Sequence, residues 1–239
     1  MKQVWVIAGR ELKSYFDSLI AYIMIIAFLG FTGFFTWLYG SDVFLTGQAS
    51  LHVFFNMAYW TLFFFIPALT MRLLAEENRS GTLELMLTMP VTYFQIALGK
   101  FLASLLLILI TLLLTIPYYI TIASIGPVDH GAVFTGYLGL LLISCVYISI
   151  GLFASSTTNN QIISFLLALF IGVFFHFLFG MLARNIPGVL GNILYFLSNS
   201  THFESISRGI IDSRDILYFL SITGLGLLGT VYFITRKSI

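Results

Sequence analysis

The chain has 239 residues, of which 59% are apolar, 17% aromatic and only 9% charged, against about 25% charged in ordinary soluble domains. A mean hydropathy of +1.00 leaves no polar coat for a water-soluble globule, and the length suits one membrane domain spanning residues 1–239. The net charge of +1, without a long basic run, argues against nucleic acid as a partner, and the single Cys145 provides neither a disulfide framework nor a cysteine metal site.

Residues 2–16 place Trp5, Ala8, Leu12 and Tyr15/Phe16 at helical spacing, with Lys2, Arg10 and Lys13 nearby. That pattern predicts a helix lying in the headgroup plane against membrane lipid; the alternative is a helix that runs straight on into the first span. The apolar run before Arg10 is too short for the core of a signal peptide.

A membrane crossing needs about 20 apolar residues. The uncharged stretch between Asp17 and Asp42 predicts a first span over 18–40, and the stretch between His52 and Arg72 a second over 53–71, with Pro67 placed to kink it. A third is expected over 98–122, with Lys100 reaching back to the interface and Pro117 bending or ending the helix. From Gly131 to Ala183 no Asp, Glu, Lys or Arg occurs. As one helix this interval would be about 80 Å long, so it must fold back. Ser155-Ser-Thr-Thr-Asn-Asn-Gln161 marks the turn, because short polar side chains compete for backbone hydrogen bonds. Spans over 132–154 and 160–182 follow. A last one covers 216–235, with Asp215 placed to cap it. The fold class is therefore all-α and polytopic, with six transmembrane helices.

Between the fifth and last spans, Ile186–Leu197 is apolar but too short to cross; it is either a re-entrant segment or a helix on the membrane surface. With the N-terminus inside, eight Lys and Arg residues fall on the cytoplasmic side and three on the other, which predicts both termini in the cytoplasm.

Residues 72–100 interrupt the apolar text: Arg72, Glu76, Glu77, Arg79 and Glu84 lie within thirteen positions. Ser80 is placed to cap a short helix over 81–89 ended by Pro90, and Thr92-Tyr-Phe-Gln95 fits a capping box that opens the next helix. On charge alone, this segment is either a stiff crossbar between two spans or a solvated turn kept out of lipid. No G-x-x-x-x-G-K-[ST] phosphate loop, H-E-x-x-H or G-x-S-x-G motif occurs, so the chain is expected to be non-catalytic and to bind no ATP itself. His52, His130, His176 and His202 are scattered, and His176, among phenylalanines, reads as a packed or interfacial residue. The absence of charges near the span centres weakens any mechanism powered by an ion gradient.

The run Glu76-Glu77-Asn78-Arg79-Ser80-Gly81-Thr82-Leu83-Glu84-Leu85, closed by Met89-Pro90-Val91, resembles the segment between the second and third spans of ABC-2 type transporter permeases. In that family it is a cytoplasmic coupling helix that docks on a nucleotide-binding subunit. The resemblance implies ATPase-docking roles for Glu76, Glu77, Arg79, Gly81, Thr82 and Glu84. It also implies an interfacial elbow helix at residues 2–16, a coupling segment over 76–90 and a re-entrant segment over 183–215. ATP and Mg would be bound by the partner ATPase, with a second permease copy or paralogue beside this chain in a bacterial inner membrane. Within the family the chain is similar to gliding-motility permeases, which implies a larger GldG-like partner. The function expected is export, or force transmission across the membrane. The alternative is an ATPase-independent channel or secondary carrier.

Overall fold

A computed structural model describes residues 2–38, 50–82 and 91–237. They are helical throughout, without strands, and their order is α1 (Lys2–Asp17), α2 (Ile20–Trp37), α3 (His52–Thr70), α4 (Ala75–Ser80), α5 (Tyr93–Leu113), α6 (Ile116–Ile125), α7 (His130–Thr157), α8 (Gln161–Val173), α9 (Phe179–Asn185), α10 (Val189–Leu197), α11 (Asn199–Ser207) and α12 (Ser213–Lys237). Among the described residues, six helical stretches are long and apolar enough to cross a membrane: Ile20–Trp37, His52–Ser80, Tyr93–Ile125, His130–Thr157, Gln161–Asn185 and Ser213–Arg236. The expected all-helical, six-span architecture is therefore what forms.

α1 is separate from the first span. It buries Val4, Ala8 and Tyr15, a stripe at helical spacing that packs on α5, and it exposes Trp5 and Val6. Leu19 then turns the chain at φ 61°, a left-handed conformation that costs a non-glycine residue about 1–2 kcal/mol, so helix geometry does not carry through from α1 into α2.

α3 continues through Pro67 to Thr70 and breaks only after it. The third span breaks between α5 and α6, where Pro117 occupies the first turn of the new helix, the position at which its missing N–H costs least. The Thr92 capping box is complete: the Gln95 amide donates to Thr92 Oγ1 (3.3 Å) and the Thr92 amide to Gln95 Oε1 (3.0 Å). The turn between α7 and α8 is tighter than the polar run implied, because Ser155, Ser156 and Thr157 remain helical and Asn160 caps α8 by accepting from the Ile162 amide (2.9 Å).

α7 is the centre of the bundle and touches α3, α5, α8, α11 and α12. Its small residues set the spacing. A Cβ on Gly151 would collide with the Thr70 side chain, and one on Gly136 would fall 2.5 Å from the Phe55 ring.

Beyond α8 a π-helical turn, Phe174–Leu178, leads into α9. α10 folds back along α9, and α11 packs on α7 with Phe203 and Ile206 buried. Asp215 is not the cap of α12. Asp212 accepts from the Arg214 amide instead (2.9 Å), while Asp215 is buried and lies 2.6 Å from His202 Nδ1. His202 stacks on Tyr218 at 4.0 Å, so a buried polar pair ties α11 to α12.

Candidate functional site

The charged segment after α3 is built on a helix break. Met71–Leu74 form a turn, and α4 resumes at Ala75. A new helix leaves its first amides without intrahelical partners. Here Ser155 of α7 supplies them. Its Oγ accepts from the Leu74 amide (3.0 Å) and the Ala75 amide (2.9 Å), and donates to the Met71 carbonyl (3.0 Å). One hydroxyl, with one donor and two acceptor sites, is thereby saturated. The bond stitches α4 to the end of the central helix, and Asn78 adds a long contact to the Thr158 carbonyl (3.4 Å).

α4 ends at Ser80, whose hydroxyl donates to the Glu76 carbonyl (2.9 Å). Ser80 is thus the last residue of α4, where the sequence reading made it the cap of a following helix. Gly81 terminates α4 at φ 71°, the left-handed closure for which glycine is suited. The expected helix over 81–89, with Glu84 and Pro90, lies outside the described residues beyond Thr82.

The predicted docking residues divide into two sets. Glu76, Arg79 and Gly81 are exposed, and Thr82 is half-buried with Oγ1 2.9 Å from Ser80 Oγ. Glu77 points the other way. Its Oε1 lies 2.6 Å from Lys100 Nζ, and Lys100 also reaches Glu11 Oε1 at 3.2 Å. Lys100 is only 1% exposed. The expectation that it stretches to the interface is therefore corrected: it is sealed between two carboxylates, because a cation drawn into an apolar bundle is stable only when paired.

Glu11 also accepts from Arg10 (2.9 Å). Burial alone would push its carboxyl up, but the Lys100 charge and the hydrogen bonds from Arg10 and Lys100 outweigh this and hold it below the ordinary carboxylate value. Two further contacts complete the knot. Tyr15 Oη lies 3.0 Å from Ser104 Oγ, and burial raises its hydroxyl far above the usual phenol value, so it stays neutral. Arg72 donates to Ser18 Oγ (3.1 Å) and sits 5.8 Å from the centre of the Tyr15 ring. A cleft of about 410 Å³ remains between α1 and α4, lined by Arg10, Glu11, Arg72, Glu76 and Lys100 among others.

Sequence reasoning did not place Glu11, Lys100 or Ser155 in this site. Lys100 carried a usable signal, since a lone cation within an apolar helix requires a partner. Among the described residues no cluster of three metal-ligating side chains occurs.

A family model described as ABC-2 family transporter protein matches residues 40–235. The match takes in α3 to α11 and nearly all of α12, together with the charged segment. No curated protein matches the chain.

Proposed function

The chain belongs to the ABC-2 family of transporter proteins, and we propose that it is the permease subunit through which a separate ATPase drives movement in the membrane. Exposed Glu76, Arg79 and Gly81, with Thr82 and Glu84, form the docking edge, and Glu77 is its root. The observation that carries this reading is the buried Glu11–Lys100–Glu77 knot directly beneath exposed Glu76 and Arg79. A solvated turn has no use for such an anchor. A lever does.

A push on α4 is resisted at three points: by α7 through Ser155, by α5 through Lys100, and by α1 through Glu11. Displacement therefore passes into packed helices, which have discrete arrangements and do not deform continuously. Both termini and the docking edge face the cytoplasm of a bacterial inner membrane, a placement supported by the excess of Lys and Arg on that side. A second permease copy or paralogue completes the path, and ATP and Mg reside in the ATPase. The output is export or force transmission across the membrane, the latter through a GldG-like partner if the resemblance to gliding-motility permeases read from the sequence holds.

The test is isolation of the chain with its accompanying subunits from membranes, followed by E76A, R79A and E84A substitutions. The expected result is a co-purifying ATP-hydrolysing chain that is lost, or uncoupled from function, in these variants. Full function with no ATPase attached would leave the channel or secondary-carrier reading in its place.

A further inference from the structure

The end of the bundle opposite the termini holds a cavity of about 530 Å³ between α3, α9 and α11, within the range of about 300–1,000 Å³ typical of small-molecule sites. We propose that it binds an amphipathic organic acid: an apolar ring or chain carrying a carboxylate or phosphate-type anion. Binding there needs no nucleotide and no ATPase, so it stands independently of the docking reading.

Three features select this class. The walls are aromatic, from Tyr59, Trp60, Phe177 and Phe203; Tyr59 stacks on Phe203 at 4.8 Å, while Trp60 lies 6.3 Å from Phe177. Such rings offer area for an apolar body. The mouth is cationic. Arg184 is exposed and makes no ion pair among the described residues. Arg208 meets Glu204 only at 3.6 Å, well beyond the roughly 2.7–2.9 Å of a strong charge-assisted bond. Two guanidinium groups against one carboxylate give the lining a net charge of +1 (2 − 1), which disfavours a cation despite the aromatic walls.

The third feature is His176. It lines the cavity and is 0% exposed, its ring held between Tyr59 at 4.2 Å and Phe63 at 4.4 Å. Nδ1 lies 2.6 Å from the Tyr147 hydroxyl, and Tyr147 does not line the cavity. Nε2 has no hydrogen-bond partner among the described residues. Whichever nitrogen carries the proton, Nε2 has an unmet capacity, and a buried polar atom in that state calls for a partner. His176 also sits within the π-helical turn Phe174–Leu178, and such turns occur frequently at functional sites. An acid whose anion meets Arg184 and Arg208 and whose apolar body lies on the aromatic walls fits the first two. Nε2 is closed off from the cavity in this structure, and a small shift of the rings that cover His176 brings a polar atom of that body to it.

The anion has two possible sources, an acidic lipid and a free acid, and the assay separates them. Trp5 and Trp37 are replaced by Phe, leaving Trp60 as the only tryptophan of the full chain, which is placed in phosphatidylcholine nanodiscs. Trp60 emission is titrated with brominated phosphatidylglycerol against brominated phosphatidylcholine, and with 4-iodobenzoate against 4-iodobenzyl alcohol. The expected result is saturable quenching by an acidic member of either pair and weaker, non-saturating quenching by its neutral counterpart. R184Q and R208Q should each weaken it about tenfold, the loss expected for one charged contact. Both arginines are exposed, so these variants preserve packing, and H176F provides a further reading where it folds. Saturation by phosphatidylglycerol alone identifies a lipid ligand, and by iodobenzoate alone a soluble acid. Equal quenching by charged and neutral probes, or binding unchanged in both arginine variants, overturns the proposal.

Discussion

Lys100 offers the sharpest test of the knot beneath α4. In K100M the side chain keeps its length and apolar stem but loses the charge that Glu77 approaches at 2.6 Å and Glu11 at 3.2 Å. Glu77 Oε2 already lacks a partner among the described residues, so the variant leaves two largely buried carboxylates facing one another at the edge of the cleft. Removing one member of a buried ion pair costs about 3–5 kcal/mol. Arg10 still holds Glu11, which places the expected loss near the lower end, about 3 kcal/mol. Replacing all three charges, as in E11Q/E77Q/K100M, should recover most of that loss, because a neutral, hydrogen-bonding set carries no uncompensated charge. The pH dependence should change as well. In the parent protein the Glu11 carboxyl is held below its ordinary value, so its stabilisation is complete above the unfolded carboxylate value and is lost as pH falls through the depressed one. Burial raises the Glu77 carboxyl and gives it the opposite slope, so the two largely offset one another. K100M loses the largest cause of the Glu11 depression and keeps only Arg10, and it leaves Glu77 without a cation, so acid, by neutralising the crowded carboxylates, should stabilise it. Apparent unfolding temperature and unfolding rate in nanodiscs between pH 4 and 8 measure both effects; a rate is needed because membrane proteins commonly unfold irreversibly. Equal stability of K100M and parent at neutral pH, or a triple variant no better than K100M, would refute the reasoning.

Four other substitutions test separate parts of the structure. S155A strips the Leu74 and Ala75 amides of their common acceptor; at about 1–3 kcal/mol for each buried group left unsatisfied, it should destabilise measurably and speed amide exchange at 74–78. G81A adds a Cβ that meets nothing within 4 Å among the described residues, so among these only the left-handed backbone at φ 71° resists it. The cost should be about 1–2 kcal/mol, confined to the end of α4 and read by exchange there. G151V drives a side chain into Thr70 and should cost about 1–3 kcal/mol or more by overpacking, whereas G30V, at a glycine with open space around it, should leave the unfolding temperature nearly unchanged.

Six crossings were legible because they rest on charge-free length and on local punctuation. Pro117, the Thr92–Gln95 box and Asn160 act on their own turns, so nearby residues suffice to read them. Ser155 is different. Within its own helix a serine next to Ser156, Thr157 and Thr158 reads as part of a turn; its function depends on amides 80 and 81 positions away. Lys100 was read as reaching for water because its partners, 89 and 23 positions distant, arrive only when α1 folds against α5. Asp215 looked like a cap since it precedes an apolar run, yet Asp212 already fills that role and frees Asp215 for His202. His176 was read as packed or interfacial and is packed, but its unmatched nitrogen emerges only once Tyr147, Tyr59 and Phe63 close around it. What remained hidden was in each case a tertiary partner for a polar atom.

Two of those contacts, at Ser155 and Tyr147, are made from α7, which explains why this helix is built as it is. Ser155 grips α4 near one end. Tyr147, eight residues or about 12 Å away along the axis, contacts His176. Gly139, sixteen residues or about 24 Å from Ser155, lies against Phe203 and Ile206 of α11. The helix is uncharged beyond Asp129 and buried over most of its length, and its glycines and serines let neighbours approach closely enough that rotation or sliding of α7 must displace them. Large side chains at these positions would hold the neighbouring helices further off and leave slack in the assembly. A rigid helix with short side chains instead joins α4 to His176 and α11 toward the opposite end without an intervening flexible joint, so the two ends of the bundle share one mechanical element.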